Sequence, residues 1–206
     1  MFERRGSLPA ERIMTLTVWL KRLTNFGDIA VLIPLATVIL LWLLLIRHQR
    51  GAAWWAIAVA FCAGLTAFLK VAFYGCPPTP GLHSPSGHTS FSTLVFGAMT
   101  LVSAIEGTGL RRILTIAGGA SFVLAIAASR FLLSVHSGPE IGLGLVIGLS
   151  CLALFGQGYL PCRVARVWQS PLFTTAGLVV LTLHGREFRV EQFLQEIQRY
   201  FHLYCV

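Results

Sequence analysis

Two short stretches hold most of the residues able to do chemistry. In one, Ser129-Arg130 is followed after five residues by His136, and four residues later by Glu140. In the other, Pro85-Ser86-Gly87-His88 opens an apolar run, and Lys70 closes the run before it. Each piece puts cations, hydroxyls, histidines or backbone N–H groups at the end of an apolar segment. Ionisable groups at membrane depth are costly, so their presence there points to function. A phosphate group fits this set. Arg130 offers a planar fork of donors for phosphate oxygens, and Lys70 adds a point charge. Ser86 stands where a helix N-cap would be, and the N–H groups of a helix start bind anions. His88 follows on that first turn. Pro139 suits the first position of the next helix, which puts His136 just before it and Glu140 in its opening turn. A carboxylate there can accept from one imidazole nitrogen and leave the other to attack, with the roles of orienter and nucleophile found in catalytic triads.

The elements that must position these residues follow from composition. The chain has 206 residues, of which 55% are hydrophobic and 12% charged. Soluble domains carry about 25% charged residues, so this is a polytopic membrane protein. The net charge of +8 is spread over short clusters between apolar runs: Arg47/Arg50, Arg111/Arg112 and Arg163/Arg166. That is loop charge on a membrane protein, not a basic face for nucleic acid. The five cysteines form no CxxC pair, so neither a disulfide framework nor a zinc site is implied. Cys62 and Cys151 fall inside apolar runs as packing residues. The N-terminus has no clean apolar core ending in a cleavage site.

The fold expected is all-α, a membrane helix bundle of about six spans with amphipathic helices at both ends. The spans are 29–46, 52–69, 89–105, 113–128, 141–155 and 171–183, the last too short to be a secure crossing. Residues 1–28 form an amphipathic surface segment, 29–184 the membrane domain, and 185–206 an amphipathic C-terminal helix. Pro34 lies inside the first span. Trp54 and Trp55 read as interface anchors. Gly142, Gly144 and Gly148 include a Gly-xxx-Gly pair suited to close helix packing. Loops 47–51, 106–112 and 157–170 carry six arginines and are expected on the cytoplasmic side. The loops that hold the chemical residues then face the opposite side. Six spans would put both termini there too, against the pull of their basic residues, but charge bias acts most strongly through short loops.

Lys70, Pro-Ser-Gly-His at 85–88 and Ser-Arg-x5-His-x3-Glu from 129 to 140 resemble the three signature motifs of the type 2 phosphatidic acid phosphatase superfamily. That group includes membrane lipid phosphate phosphatases, soluble acid phosphatases and vanadium haloperoxidases. The apolar composition fits the membrane branch, and the resemblance covers residues 52–157. It implies that His136 is the nucleophile, forming a phosphohistidine. It implies that His88 protonates the leaving oxygen and Glu140 orients His136. Lys70, Ser86, Gly87 and Arg130 would bind the phosphoryl oxygens. No metal or other cofactor is implied. The partner is a lipid phosphate, the reaction hydrolysis of a phosphomonoester or diphosphate, and the setting the inner membrane with the site on its non-cytoplasmic face. Two alternatives stay open: phosphotransfer to another lipid from the same phosphohistidine, and a non-catalytic binder of lipid phosphate. Two positions depart from the family pattern. Pro77 stands where the first motif has Arg, and Glu140 where the third has Asp. His83 reads as an ordinary loop residue and only distantly as a stand-in for the missing cation. His48, His184 and His202 read as interface or tail positions.

Overall fold

The computed structural model describes residues 10–75, 82–161 and 169–186. Among the described residues seven α-helices follow one another: α1 Ala10–Thr24, α2 Ile29–Leu45, α3 Gln49–Gly75, α4 Gly87–Glu106, α5 Gly109–Leu132, α6 Gly138–Tyr159 and α7 Ser170–Leu183. A 3-10 turn, Asn25–Gly27, joins α1 to α2. No strand occurs among the described residues. The chain is an all-α bundle, as its periodicity implies. Five helical stretches among the described residues are long and apolar enough to cross a membrane: Met14–Leu45, Gln49–Phe73, Gly87–Glu106, Gly109–Leu132 and Gly138–Tyr159. Their outer faces show large apolar side chains, among them Ile33, Phe61, Phe68, Ile113, Leu124 and Val146. In water such a surface would drive association; in a bilayer it is the lipid contact. The protein is an integral membrane protein.

Helices α2 to α7 alternate in direction. At the upper end meet the starts of α2, α4 and α6 and the ends of α3, α5 and α7. There Ser86 N donates to Glu140 O at 3.1 Å, and a ring nitrogen of His184 lies 2.9 Å from Arg22 O. At the lower end the His48 ring lies 5.0 Å from Tyr159, and Gln169 Nε2 donates to Val102 O at 2.8 Å. Helix α7, 14 residues or about 21 Å long, therefore runs from one end of the bundle toward the other.

Several helices extend past the spans read from sequence. Helix α3 continues through Lys70 to Gly75, so Lys70 lies within the helix rather than at its end. A single lysine does not stop a helix, whereas the glycine and prolines beyond it do. Helix α5 likewise includes Arg111, Arg112 and, in its last turn, Arg130. Helix α6 starts at Gly138, one residue earlier than Pro139 implied. Trp55 is a correction of another kind. It is 1% exposed, its indole N–H donates to Ala36 O at 2.9 Å, and its ring packs edge-on to Phe155. It is a core residue because α2 and α6 close over it. Trp54 packs against Gly158 instead. His48 is also buried, its Nδ1 accepting from Gly51 N. Cys62 and Cys151 are buried in the core, as their setting implied. The amphipathic α1 leaves Met14, Leu16, Val18 and Trp19 exposed. The segment 187–206, including its expected amphipathic helix, lies outside the described residues, as does Pro77.

The seam that matters most for the site joins α4 and α6, which run parallel. A methyl group on Gly144 would lie 2.7 Å from Ser86 O, and one on Gly148 would lie 2.5 Å from both Ser90 O and Thr93 Cβ. Only glycine lets the backbones come this close. Gly142, by contrast, faces open space. Gly148→Ala should therefore cost about 1–3 kcal/mol through forced separation of the helices. Gly142→Ala should be neutral or stabilising by up to about 1 kcal/mol. Unfolding of the two variants in detergent, followed side by side, checks this.

Candidate functional site

All seven residues singled out from the sequence lie at the upper end of the bundle. Lys70 reaches it from α3. Ser86 caps α4, and Gly87 and His88 form the first turn of that helix. Arg130 comes from the last turn of α5. His136 lies in the α5–α6 connection and Glu140 in the first turn of α6.

The turn after α5 places His136. Ser134 takes a left-handed conformation, φ 55°. Ser134 N donates to Phe131 O at 2.9 Å and Val135 N to Arg130 O at 3.1 Å. This is a Schellman ending, with serine where glycine is usual. It reverses the chain so that His136 N also reaches Arg130 O, at 3.4 Å. The nucleophile candidate is thus tied to the backbone of the phosphate-binding candidate. Ser129, in contrast, turns its hydroxyl back to Ile126 O at 2.6 Å and serves the helix.

Glu140 then fixes the imidazole. His136 Nδ1 lies 3.0 Å from Glu140 Oε2, which also accepts from Ser137 N at 3.0 Å. A carboxylate accepts only, so Nδ1 carries the proton and Nε2 is the nitrogen with a lone pair. The other oxygen, Oε1, accepts from His83 N and Ser84 N, both at 3.0 Å. Glu140 is thus both the orienter of His136 and the anchor of the segment that leads into α4. The second role was not read from the sequence, where nothing marks it. The extra methylene relative to Asp suits this double reach. His83 contributes its backbone, while its side chain is exposed.

Ser86 is fully buried, its Oγ accepting from Thr89 Oγ1 at 2.9 Å. A methyl group on Gly87 would lie 3.9 Å from Lys70 Cε, so Lys70 comes up beside the open start of α4. Beneath the site α4 carries a buried row of hydroxyls: Thr89, Ser90, Ser92 and Thr93. Ser90 Oγ meets Thr66 Oγ1 of α3 at 3.2 Å. Two further residues come from a segment with no sequence motif. Arg130 Nη1 donates to Thr24 Oγ1 at 3.4 Å, and His88 Nε2 lies 3.8 Å from Asp28 Oδ2. The available signal for Asp28 was that it is the chain's only aspartate and directly precedes a long apolar run.

His136 is mostly withdrawn from water, with 7% of its side chain exposed. Burial lowers its pKa from the ordinary value near 6.5. The Glu140 hydrogen bond opposes this, and the charges of Arg130 and Lys70 add to it. Its neutral, nucleophilic form is therefore favoured at neutral pH. Arg130 and Lys70 act on His88 as well as on His136. Two histidines, two cations and a half-buried helix start thus converge at one end of the bundle, an arrangement able to hold a tetrahedral anion and attack it. No group of three metal-ligating side chains exists among the described residues.

No protein-family model matches this chain, and no solved structure matches it. It is similar to a Klebsiella pneumoniae protein described as an uncharacterized 22.5 kDa protein in the cps region, with 32% identity over 139 residues. The match covers 63% of this chain and 64% of that protein, which is less than two thirds of the relative's length.

Glu140→Gln tests the double anchor. Whichever way the amide faces, its N–H₂ group meets at least one backbone N–H donor that the carboxylate satisfied, at about 1–3 kcal/mol for each acceptor lost. The variant should unfold at a clearly lower temperature in detergent than the wild type, and wild-type stability would contradict the anchor.

Proposed function

We propose that this chain is a membrane phosphatase that hydrolyses a phosphomonoester or diphosphate carried by a lipid, through a phosphohistidine on His136. The observation that carries the reading is the contact of His136 Nδ1 with Glu140 at 3.0 Å, which leaves Nε2 as the nitrogen with a lone pair on a ring that the charges of Arg130 and Lys70 also act on. In this reading Nε2 attacks the phosphorus while His88 gives its proton to the leaving oxygen. His88 then takes a proton from water, which attacks the phosphohistidine. The P–N bond breaks, its electron pair returns to His136, and phosphate leaves. Arg130, Lys70 and the N–H groups of Gly87 and His88 stabilise the charge that develops on the phosphoryl oxygens. The resemblance in the three motifs supports the same roles.

The lipid nature of the substrate is supported by the position of the site. It lies at the end of a bundle whose sides are apolar, which in this reading is within reach of lipid headgroups. The lower end bears Arg47 in the turn before α3, Arg50 in the first turn of α3, and Arg111 and Arg112 at the start of α5. Positive charge favours the cytoplasmic side. This charge distribution supports our reading that the site faces the non-cytoplasmic side of an inner membrane. Lys21 and Arg22 lie near the upper end against that rule, and Arg22 stacks over the Trp19 ring at 5.3 Å, a way to hold a cation at an interface.

The test is phosphate release by the full chain in detergent, without added metal, from a panel of lipid monophosphates and diphosphates. His136→Ala should lower release by a factor on the order of 10⁴ or more, the scale for losing a nucleophile. Wild-type release from none of the lipids would sink the reading. Appearance of a phosphorylated acceptor lipid instead of free phosphate would favour a transferase.

The lowered pKa of His136 sets a sign for pH. A depressed folded-state value keeps the nucleophile unprotonated as pH falls past 6.5. The acid limb of kcat/KM should therefore have its midpoint below 6.5. A midpoint above that value would contradict the assignment of His136.

A further inference from the structure

We infer that Asp28, on the turn that joins α1 to α2, is the positioning residue for His88 and thereby controls protonation of the leaving group. The inference rests on the phosphatase reading above. It adds a fourth, N-terminal piece to a site otherwise assembled from α3 to α6.

Three observations carry it. The first is a carboxylate with one oxygen more than its structural task requires. Asp28 caps α2, its Oδ1 accepting from Ala30 N at 2.8 Å. Capping needs one oxygen, and Ser, Thr or Asn supply it as well as Asp does. The second oxygen faces His88 Nε2 at 3.8 Å. That is longer than a hydrogen bond, and catalytic contacts are often long before substrate arrives and tighten in the complex. With Nε2 turned to Asp28, Nδ1 is the nitrogen left for a leaving oxygen.

The second observation is how closely the turn is pressed on α4. A methyl group on Gly27 would lie 3.0 Å from Ser92 Oγ and 3.0 Å from Ile126 Cγ2, and 3.3 Å from His88 Cβ. Glycine at 27 is what lets the backbone beside Asp28 lie against the first turns of α4. The same turn region holds Arg130 through Thr24 Oγ1. One short segment thus touches both the acid candidate and the phosphate-binding candidate.

The third is charge. His88 is acted on by Arg130 from α5, His136 from the α5–α6 connection and Lys70 from α3. Asp28, at the start of α2 and 13% exposed, supplies the carboxylate on its remaining side. An imidazolium among cations needs such a partner to hold its proton until the P–O bond breaks. The proton then passes from His88 to the departing oxygen, and Asp28 keeps the imidazole ring in place.

The test is Asp28→Asn in the full chain in detergent. Asn keeps the capping oxygen and the size of the side chain, so the fold of α2 is preserved. Two substrates are compared: an alkyl phosphomonoester, whose alkoxide needs a proton to depart, and p-nitrophenyl phosphate, whose leaving group departs without one. Asp28→Asn should lower kcat on the alkyl ester by about 10²-fold, the scale of general-acid assistance, and change kcat on the aryl ester by less than about 3-fold. In a His88→Ala background it should have no further effect on either, because it acts through His88. Equal loss on both substrates, no loss on either, or a further loss without His88 would each overturn the role. A wild type inactive on both substrates would remove the phosphatase reading and this role with it, an outcome distinct from an active wild type whose Asp28→Asn variant shows no selectivity.

Discussion

The carboxylate of Glu140 is the constraint on which the upper end of the bundle depends. It is 6% exposed, and each oxygen accepts from two N–H donors. A buried charge is tolerated only when it is this fully satisfied. Its four donors come from two places far apart in sequence: His83 and Ser84 before α4, and His136 and Ser137 before α6. Ser86 N adds a fifth link, to the backbone carbonyl of Glu140. The consequence is mechanical as well as electrostatic. The nucleophile candidate and the start of α4 cannot drift independently. Misplacement of reacting groups by 1 Å can cost on the order of 10² in rate, so a shared anchor is worth more than two separate ones.

The parallel packing of α4 on α6 extends that anchor downward. Helices in a membrane gain little from burying apolar surface against each other, so contact depends on close fit and on hydrogen bonds. Gly144 and Gly148 supply the fit. The hydroxyls of α4 supply the polar part, most of them satisfied within the helix: Ser90 Oγ donates to Ser86 O or Gly87 O, and Thr93 Oγ1 to Thr89 O, while the buried Ser92 Oγ finds no partner among the described residues. Back-bonded hydroxyls of this kind are small and internally satisfied, which is why a polar row is tolerable at that depth. The site is therefore supported by a seam that is polar in composition yet makes few demands on the lipid.

How much of this was legible in the sequence depends on the range of the interaction. Apolar runs bounded by charge gave the helices, because hydrophobic length is a local property. Hydrophobic length alone sets their ends short, because Lys70, Arg111 and Arg130 interrupt the apolar runs without ending the helices. A charge that faces the bundle interior or the headgroups can sit inside a helix without breaking it. The pairing of His136 with Glu140 was legible for the same local reason, four residues across a helix start. The burial of Trp55 was not, since a tryptophan near a helix end reads equally as anchor or core until its neighbours are known. Thr24 and Asp28 were beyond reach altogether. Their partners, Arg130 and His88, lie 106 and 60 residues away, and the contact exists only because the turn before α2 is pressed against α4 and α5.

The two histidines of the site share one structural device. Each faces a carboxylate, and each carboxylate is held by a backbone N–H group at the start of a helix. Glu140 accepts from Ser137 N at the start of α6, and Asp28 from Ala30 N at the start of α2. Helix starts carry partial positive charge and favour anions there. Each carboxylate is thus fixed by a helix start at the end of the bundle that also carries Arg130 and Lys70. Their distances to the histidines differ in a telling way: 3.0 Å for His136 and 3.8 Å for His88. A nucleophile needs a fixed ring and a free lone pair before substrate arrives. A general acid must give up its proton and recover it within each cycle, and a looser partner suits that. The same pairing of carboxylate and imidazole, set at two distances by two helix starts, can therefore serve opposite halves of one reaction.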